Sequence, residues 1–138
     1  MKTRRFTPTA EWEDERQLLG LEGERLALGY LTACGWAVEA HRFKLGRHDV
    51  DLVVRRGRVV AFVEVKTRRS GACGSALEAV GLRKQRDIAR VAALWILRNG
   101  RPTDEYRFDL VAVDAGRDGP PRIEHVADAW RPGAWMSR

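Results

Sequence analysis

The sequence predicts an α/β domain with a mixed central sheet flanked by helices. Three observations predict it. Two long stretches, 11–34 and 76–99, carry apolar residues at the 3.6-residue spacing of amphipathic helices. Between them lie runs rich in Val, Leu and Phe, broken by a glycine where a hairpin would bend. A further Val-rich run follows the second helical stretch. Strand, long helix and strand in succession predict a crossover, with the last strand parallel to the one before the helix.

Taken in order, residues 1–10 are expected to be a flexible basic tail, residues 11–128 the domain, and residues 129–138 a C-terminal tail packed in part through Trp130. In the first helix, Leu19, Gly23, Leu26, Ala27, Tyr30, Leu31 and Cys34 make one stripe, and Gly35 stops it with a left-handed cap. Gly20 and Gly23 are poor helix formers and suit close approach to a sheet or ligand. Glu24 borders the stripe and, on spacing alone, reads as an ordinary exposed glutamate. Trp36 to Lys44 is the first strand. His48 is a loop histidine.

The segment Asp49–Lys66 reads as two strands joined at Arg56-Gly57. A two-residue turn there would pair Val53 with Val60, Asp51 with Phe62 and Asp49 with Glu64. Alternation then puts Asp49, Asp51, Glu64 and Lys66 on one face. Clustered carboxylates repel one another on a mostly apolar hairpin, and a hard divalent cation such as Mg²⁺ or Mn²⁺ would relieve them. Lys66 would orient or deprotonate a water there, or offset charge on a phosphate. The plainer alternative is a solvated face with a Glu–Lys pair.

Residues 67–75 form a small, polar, glycine-rich loop in which Arg68 and Arg69 either hold a phosphate backbone or are simply solvated. In the second helix, Leu77, Val80, Ile88, Val91, Ala92 and Trp95 form the buried stripe. Lys84 lies on it, either snorkelling or pointing to the acidic cluster. Arg83, Arg86 and Arg90 make a basic ridge, and Asn99-Gly100 caps the helix. Tyr106–Val113 is the fourth strand, with Asp109 expected to pair with Arg107 or another basic group. Arg122–Val126 is a short edge strand.

The 138 residues carry a net charge of +6, a basic balance that fits nucleic acid or an anionic surface. No apolar run reaches the length of a membrane span, and the N-terminus has no apolar core of a secretory signal. Cys34 and Cys73 are too few for a disulfide framework or a four-ligand zinc site and read as free thiols, so the expected location is cytoplasmic.

Asp on the second strand and Glu-x-Lys on the third resemble the PD-(D/E)xK nuclease superfamily. A longer set is more specific: Gly23-Glu24-x-x-Ala27 with Tyr30-Leu31, Asp49-Val-Asp-Leu-Val, Phe62-Val-Glu-Val-Lys-Thr-Arg68, Ala79-Val80 with Lys84, and Arg107-Phe-Asp109. On these residues, over roughly 15–128, the chain resembles the YraN family of small bacterial endonuclease-like proteins, similar in fold to archaeal Holliday-junction resolvases. The resemblance implies a restriction-endonuclease-like αβββαβ core. It implies Asp51, Glu64 and the Val65 carbonyl as metal ligands, Lys66 as catalytic lysine, and Glu24 as a helix acid reaching the metal or its water shell. Asp49 stands where the family usually has Glu, and Val50 where the superfamily has its proline.

The function so implied is metal-dependent hydrolysis of phosphodiester bonds in DNA, including branched or structured DNA. Mg²⁺ or Mn²⁺ would be the cofactor, and Arg68, Arg69, Arg83, Lys84 and Arg86 the phosphate contacts. The likeness to resolvases further implies a homodimer with paired sites. The rival is a nucleic-acid-binding or assembly module that keeps the fold without turnover.

Overall fold

A computed structural model describes residues 15–68, 80–116 and 119–133. Its elements run α1 (Glu15–Ala33), β1 (Ala37–Leu45), β2 (His48–Arg56), β3 (Val59–Arg68), α2 (Leu82–Asn99), β4 (Glu105–Asp114) and β5 (Arg122–Trp130). The strands form one five-stranded sheet in chain order. β3 and β4 are parallel, and the other neighbours antiparallel. This is the mixed α/β architecture expected of an αβββαβ nuclease-like core, with β5 added at the edge.

Alternation along β3 divides the core in two. Val60 and Phe62 join Ile88, Val91, Ala92 and Trp95 of α2 on one face. Ala61, Val63 and Val65 join Ala27 and Leu31 of α1 on the other. Glu64 and Lys66 continue the α2 face.

α1 ends where Gly35 takes φ +94. The Gly35 N–H donates to Thr32 O and the Trp36 N–H to Leu31 O, each at 3.0 Å, which is the Schellman pair. Cys34 therefore lies past the helix and is exposed, while Leu21, off the expected stripe, is buried. Residues 11–14 of the expected helix, and Cys73, lie outside the described residues.

Gly23 fulfils the close-approach role. A Cβ there would overlap the Thr67 side chain, lying 2.7 Å from its Cβ and closer still to Oγ1. Gly20 has nothing within 4 Å. Gly23→Ala should therefore destabilise by about 1–3 kcal/mol through overpacking. Gly20→Ala should stabilise by roughly 0.5–1 kcal/mol through helix propensity. Thermal melts of the two variants check this; equal behaviour would contradict the contact.

The hairpin register differs from the sequence reading. Arg56 pairs with Val59 and Val53 with Phe62, so the turn is Gly57-Arg58 and not Arg56-Gly57. Gly57 has φ +64, and placing it at the first turn position puts positive φ where a type II′ turn needs it. The slip is by two residues, so the faces of Val53 and Phe62 are unchanged. The expected pairs of Asp51 with Phe62 and Asp49 with Glu64 are absent from this register.

Strict alternation on β2 also fails. Val50 and Val53, three apart, both join the α2-side core, as do Ala40 and Phe43 on β1. Arg42 sits between the latter two with φ +54, and this left-handed residue absorbs the change of face. Pairing of β2 with β3 ends at Leu52↔Val63. The outer end of the β1–β2 hairpin thus turns away from β3 at Asp51.

Two other boundaries move. Val80 and Gly81 precede α2 instead of belonging to it. Gly81 is extended (φ −72, ψ 168), in keeping with the poor helix propensity of glycine. Its carbonyl accepts the Gln85 N–H at 3.0 Å, opening the first turn. Residues 76–79 lie outside the described residues. β5 continues past Val126 to Trp130, because Trp130 packs on Phe108 with ring centroids 5.5 Å apart.

Candidate functional site

The parting of β2 from β3 builds the site. It leaves the Val65 N–H without a strand partner, and Asp51 Oδ2 accepts it at 2.7 Å. The N–H and C=O of one strand residue point the same way, so the Val65 carbonyl faces the same gap as Asp51. Glu64 is buried on the adjoining position, and its charge acts on the Asp51 carboxyl. Burial, then the charges of Glu64 and Glu24, push the Asp51 carboxyl well above the usual carboxylate range, against the pull of the Val65 N–H.

Two lysines approach Glu64 Oε2, Lys84 at 3.5 Å and Lys66 at 3.9 Å. Lys84 therefore points along α2 to the acidic cluster. Burial works against its ammonium, yet the charges of Glu64, Asp51 and Asp49 hold its pKa above the ordinary value. Asp49 is half-buried and within electrostatic reach of both Arg42 and Lys84. The other oxygen of Glu64, Oε1, is buried with no hydrogen-bond partner.

Glu24 is 6% exposed, not the ordinary surface glutamate that spacing suggested. Its Oε1 lies 2.6 Å from His41 Nε2. Arg42 donates Nε to Oε1 at 3.0 Å and Nη2 to Oε2 at 3.1 Å. Burial raises its pKa, but the His41 and Arg42 bonds outweigh that and hold it below the usual value. Sequence reasoning missed His41 and Arg42. Their adjacency on a strand entering the acidic hairpin was the available signal, but only the left-handed Arg42 backbone brings both to α1.

Arg68 is exposed at the end of β3, and Arg83 and Arg86 are exposed on α2. Arg69 lies outside the described residues. The described basic groups thus flank the C-terminal end of β3 and the first turns of α2.

Asp109 belongs to the opposite face. It is fully buried, held by Arg107 as expected and also by His125 Nε2 at 2.7 Å and the Asp128 N–H at 2.9 Å.

The sequence pattern that carries these residues is a known one: the model of uncharacterised protein family UPF0102 matches residues 23–113. The chain belongs to the UPF0102 family. That span runs from Gly23 and Glu24 through the Asp51, Glu64 and Lys66 strands to the end of β4. A UPF0102 protein of Anaeromyxobacter dehalogenans is 44% identical over 126 residues, 88% of this chain and 93% of the relative. One from Rhodococcus jostii is 43% identical over 81% of this chain and 95% of its own length. One from Geobacter sulfurreducens is 37% identical over 89% and 96%. The YraN resemblance is thereby shown, and the family carries no named activity. Among the described residues no UPF0102 helix is long and apolar enough to cross a membrane.

Whether a cation fits is decided by the donors. Among the described residues no three His, Cys, Asp or Glu side chains group into a metal cage. The donors at the gap are two carboxyls and one main-chain oxygen, a hard, sparse set that suits an ion retaining several waters, as Mg²⁺ does. Glu64 Oε1 adds a buried acceptor without a partner.

Without metal the cluster should be a point of repulsion. A carboxyl whose pKa is raised by folding holds a proton that the unfolded chain releases, so stability falls as pH rises above the ordinary carboxylate range. Asp51→Asn keeps an oxygen for the Val65 N–H and removes this loss. In chelator at pH 8 it should be more stable than wild type by roughly 1–2 kcal/mol, with the advantage vanishing near about pH 4. Melts across pH check this; a lower melting temperature for Asp51→Asn at pH 8 would contradict it.

Proposed function

We propose that this UPF0102 protein is a metal-dependent endonuclease that hydrolyses phosphodiester bonds in DNA, branched or structured DNA included. One observation carries the reading: Asp51 accepts the Val65 N–H, and Glu64, buried on the adjoining position, has one oxygen unpartnered and Lys66 and Lys84 beside the other.

In this reading Asp51, Glu64 and the Val65 carbonyl would hold Mg²⁺ or Mn²⁺. When bound, the ion supplies Lewis acidity to a phosphoryl oxygen and lowers the pKa of a water. Lys66, on Glu64 and partly exposed, orients the attacking water or offsets charge that builds on the phosphate. Lys84 balances Glu64 from the α2 side and reaches a phosphate at the same edge. Arg68, Arg69, Arg83 and Arg86 grip backbone phosphates without reading sequence. Glu24 supplies a third acidic charge near the ion's water shell. The likeness to junction resolvases extends the proposal to a homodimer with paired sites. The module without turnover is supported by the same salt bridges, since Lys66, Lys84 and Arg42 already offset much of the acidic charge.

The experiment is cleavage of end-labelled linear and four-way-junction DNA with Mg²⁺, Mn²⁺ or chelator. Metal-dependent product supports the endonuclease. Binding with no product under any metal supports the module. DNA contact is tested separately. Arg68→Ala with Arg69→Ala should weaken binding alike for all sequences and reduce the salt slope by about one per lost phosphate contact. Fluorescence anisotropy across a salt series reads this; an unchanged slope would place the DNA surface elsewhere.

A further inference from the structure

Arg42 is the residue of the site with the most unusual backbone. It lies in mid-strand with φ +54, a conformation that a residue with a Cβ keeps only where its surroundings impose it. The flanking pairs His41↔Leu52 and Phe43↔Val50 set it across from Asp51. Its guanidinium takes both oxygens of Glu24, on the helix covering the other face of the sheet. The charges of Glu24, Asp51 and Asp49 all act on it.

The distribution of partners around the acids is uneven. Glu24 has both oxygens engaged, by Arg42 and His41. Glu64 keeps one buried oxygen bare, and Asp51 has a neutral N–H and an acidic neighbour. A positive charge fixed at this spot acts on a divalent ion in two ways. It repels the ion, and it holds Glu24, a nearby carboxylate that would otherwise turn toward it.

We propose that Arg42 is a positioning residue that sets the divalent-cation affinity of the site: it clamps Glu24, and so keeps the binding of Mg²⁺ or Mn²⁺ at Asp51 and Glu64 weak and reversible. This rests on the metal site proposed above. Arg42→Lys keeps the charge and loses the two-point clamp. Arg42→Gln keeps a hydrogen-bonding end group and loses the charge. Arg42→Met loses both.

The test is Mn²⁺ binding followed by calorimetry and by the electron paramagnetic resonance signal of free Mn²⁺, with Glu64→Gln as the control for the site. Arg42→Met should bind Mn²⁺ at least about tenfold tighter than wild type, the scale for one unit charge roughly 6 Å from a divalent ion even at the dielectric of water. Arg42→Gln should bind tighter to a lesser degree, and Arg42→Lys should lie closest to wild type. Adding Glu24→Gln to Arg42→Met should cancel the gain. A merely structural Arg42 would give the reverse, looser binding in step with lost melting temperature. If Arg42→Met does not fold, Arg42→Gln carries the same comparison. Unchanged or weaker binding in the folded charge-loss variants overturns the proposal. Wild type that binds no more Mn²⁺ than Glu64→Gln overturns the metal site itself, and the proposal with it.

Discussion

Glu64→Gln and Lys66→Ala should each lower metal-dependent DNA cleavage by at least about a thousandfold, by different routes. Glu64→Gln removes a charge from the donor set, so Mn²⁺ binding should fall together with turnover. Lys66 stands 3.9 Å from Glu64 and is partly exposed. Its loss should leave Mn²⁺ binding and much of the DNA affinity in place while turnover disappears. Such a split separates a residue that acts on the reacting atoms from one that only holds the ion. Initial rates on end-labelled DNA, run beside Mn²⁺ titrations of the same preparations, measure it. Cleavage that persists at wild-type rate in either variant would remove that residue from the mechanism.

The largest effect on stability should come from Asp109→Ala. Asp109 is fully buried and binds the Arg107 guanidinium, His125 and the Asp128 N–H, tying β4 to β5 on the α1 face. Burial raises its pKa, but the His125 and Arg107 bonds and the Asp128 N–H outweigh it and hold the value below the ordinary one. A depressed carboxylate contributes stability above its unfolded pKa and loses it as pH falls through the folded value. Removing one member of a buried ionic network costs about 3–5 kcal/mol, because the remaining charges are stranded. Urea unfolding at neutral pH should show that loss, and the deficit should shrink in acid. A deficit below about 1 kcal/mol would mean that Arg107 and His125 find other partners.

Much of this was legible in the sequence. The apolar spacing within residues 11–34 and the Val-rich runs mark the elements, and Gly35 marks the end of α1. Glu-x-Lys fixes the parity of Glu64 and Lys66, and Lys84 falls one turn before Ile88, on the side that meets Glu64. On a regular strand the face depends only on odd or even counting, so a two-residue error in the turn left the faces of Val53 and of β3 intact. What was hidden depends on departures from regularity. The left-handed backbone at Arg42 turns the outer hairpin over, and no periodicity encodes it. That turn parts Asp51 from the β3 ladder, sends Arg42 and His41 to Glu24, and makes a spacing argument for Asp49 unreliable. The extension of β5 to Trp130 follows from a ring contact with Phe108, a partner distant in sequence.

In the proposed function, Asp51 and Glu64 form a cation site. Crystals soaked in Mn²⁺ and recorded at the manganese absorption edge test it most directly. One anomalous peak is expected within coordination distance of Asp51, Glu64 and the Val65 carbonyl, lost in Glu64→Gln. Crystals that show no peak there at millimolar Mn²⁺, or the same peak in Glu64→Gln, would contradict it.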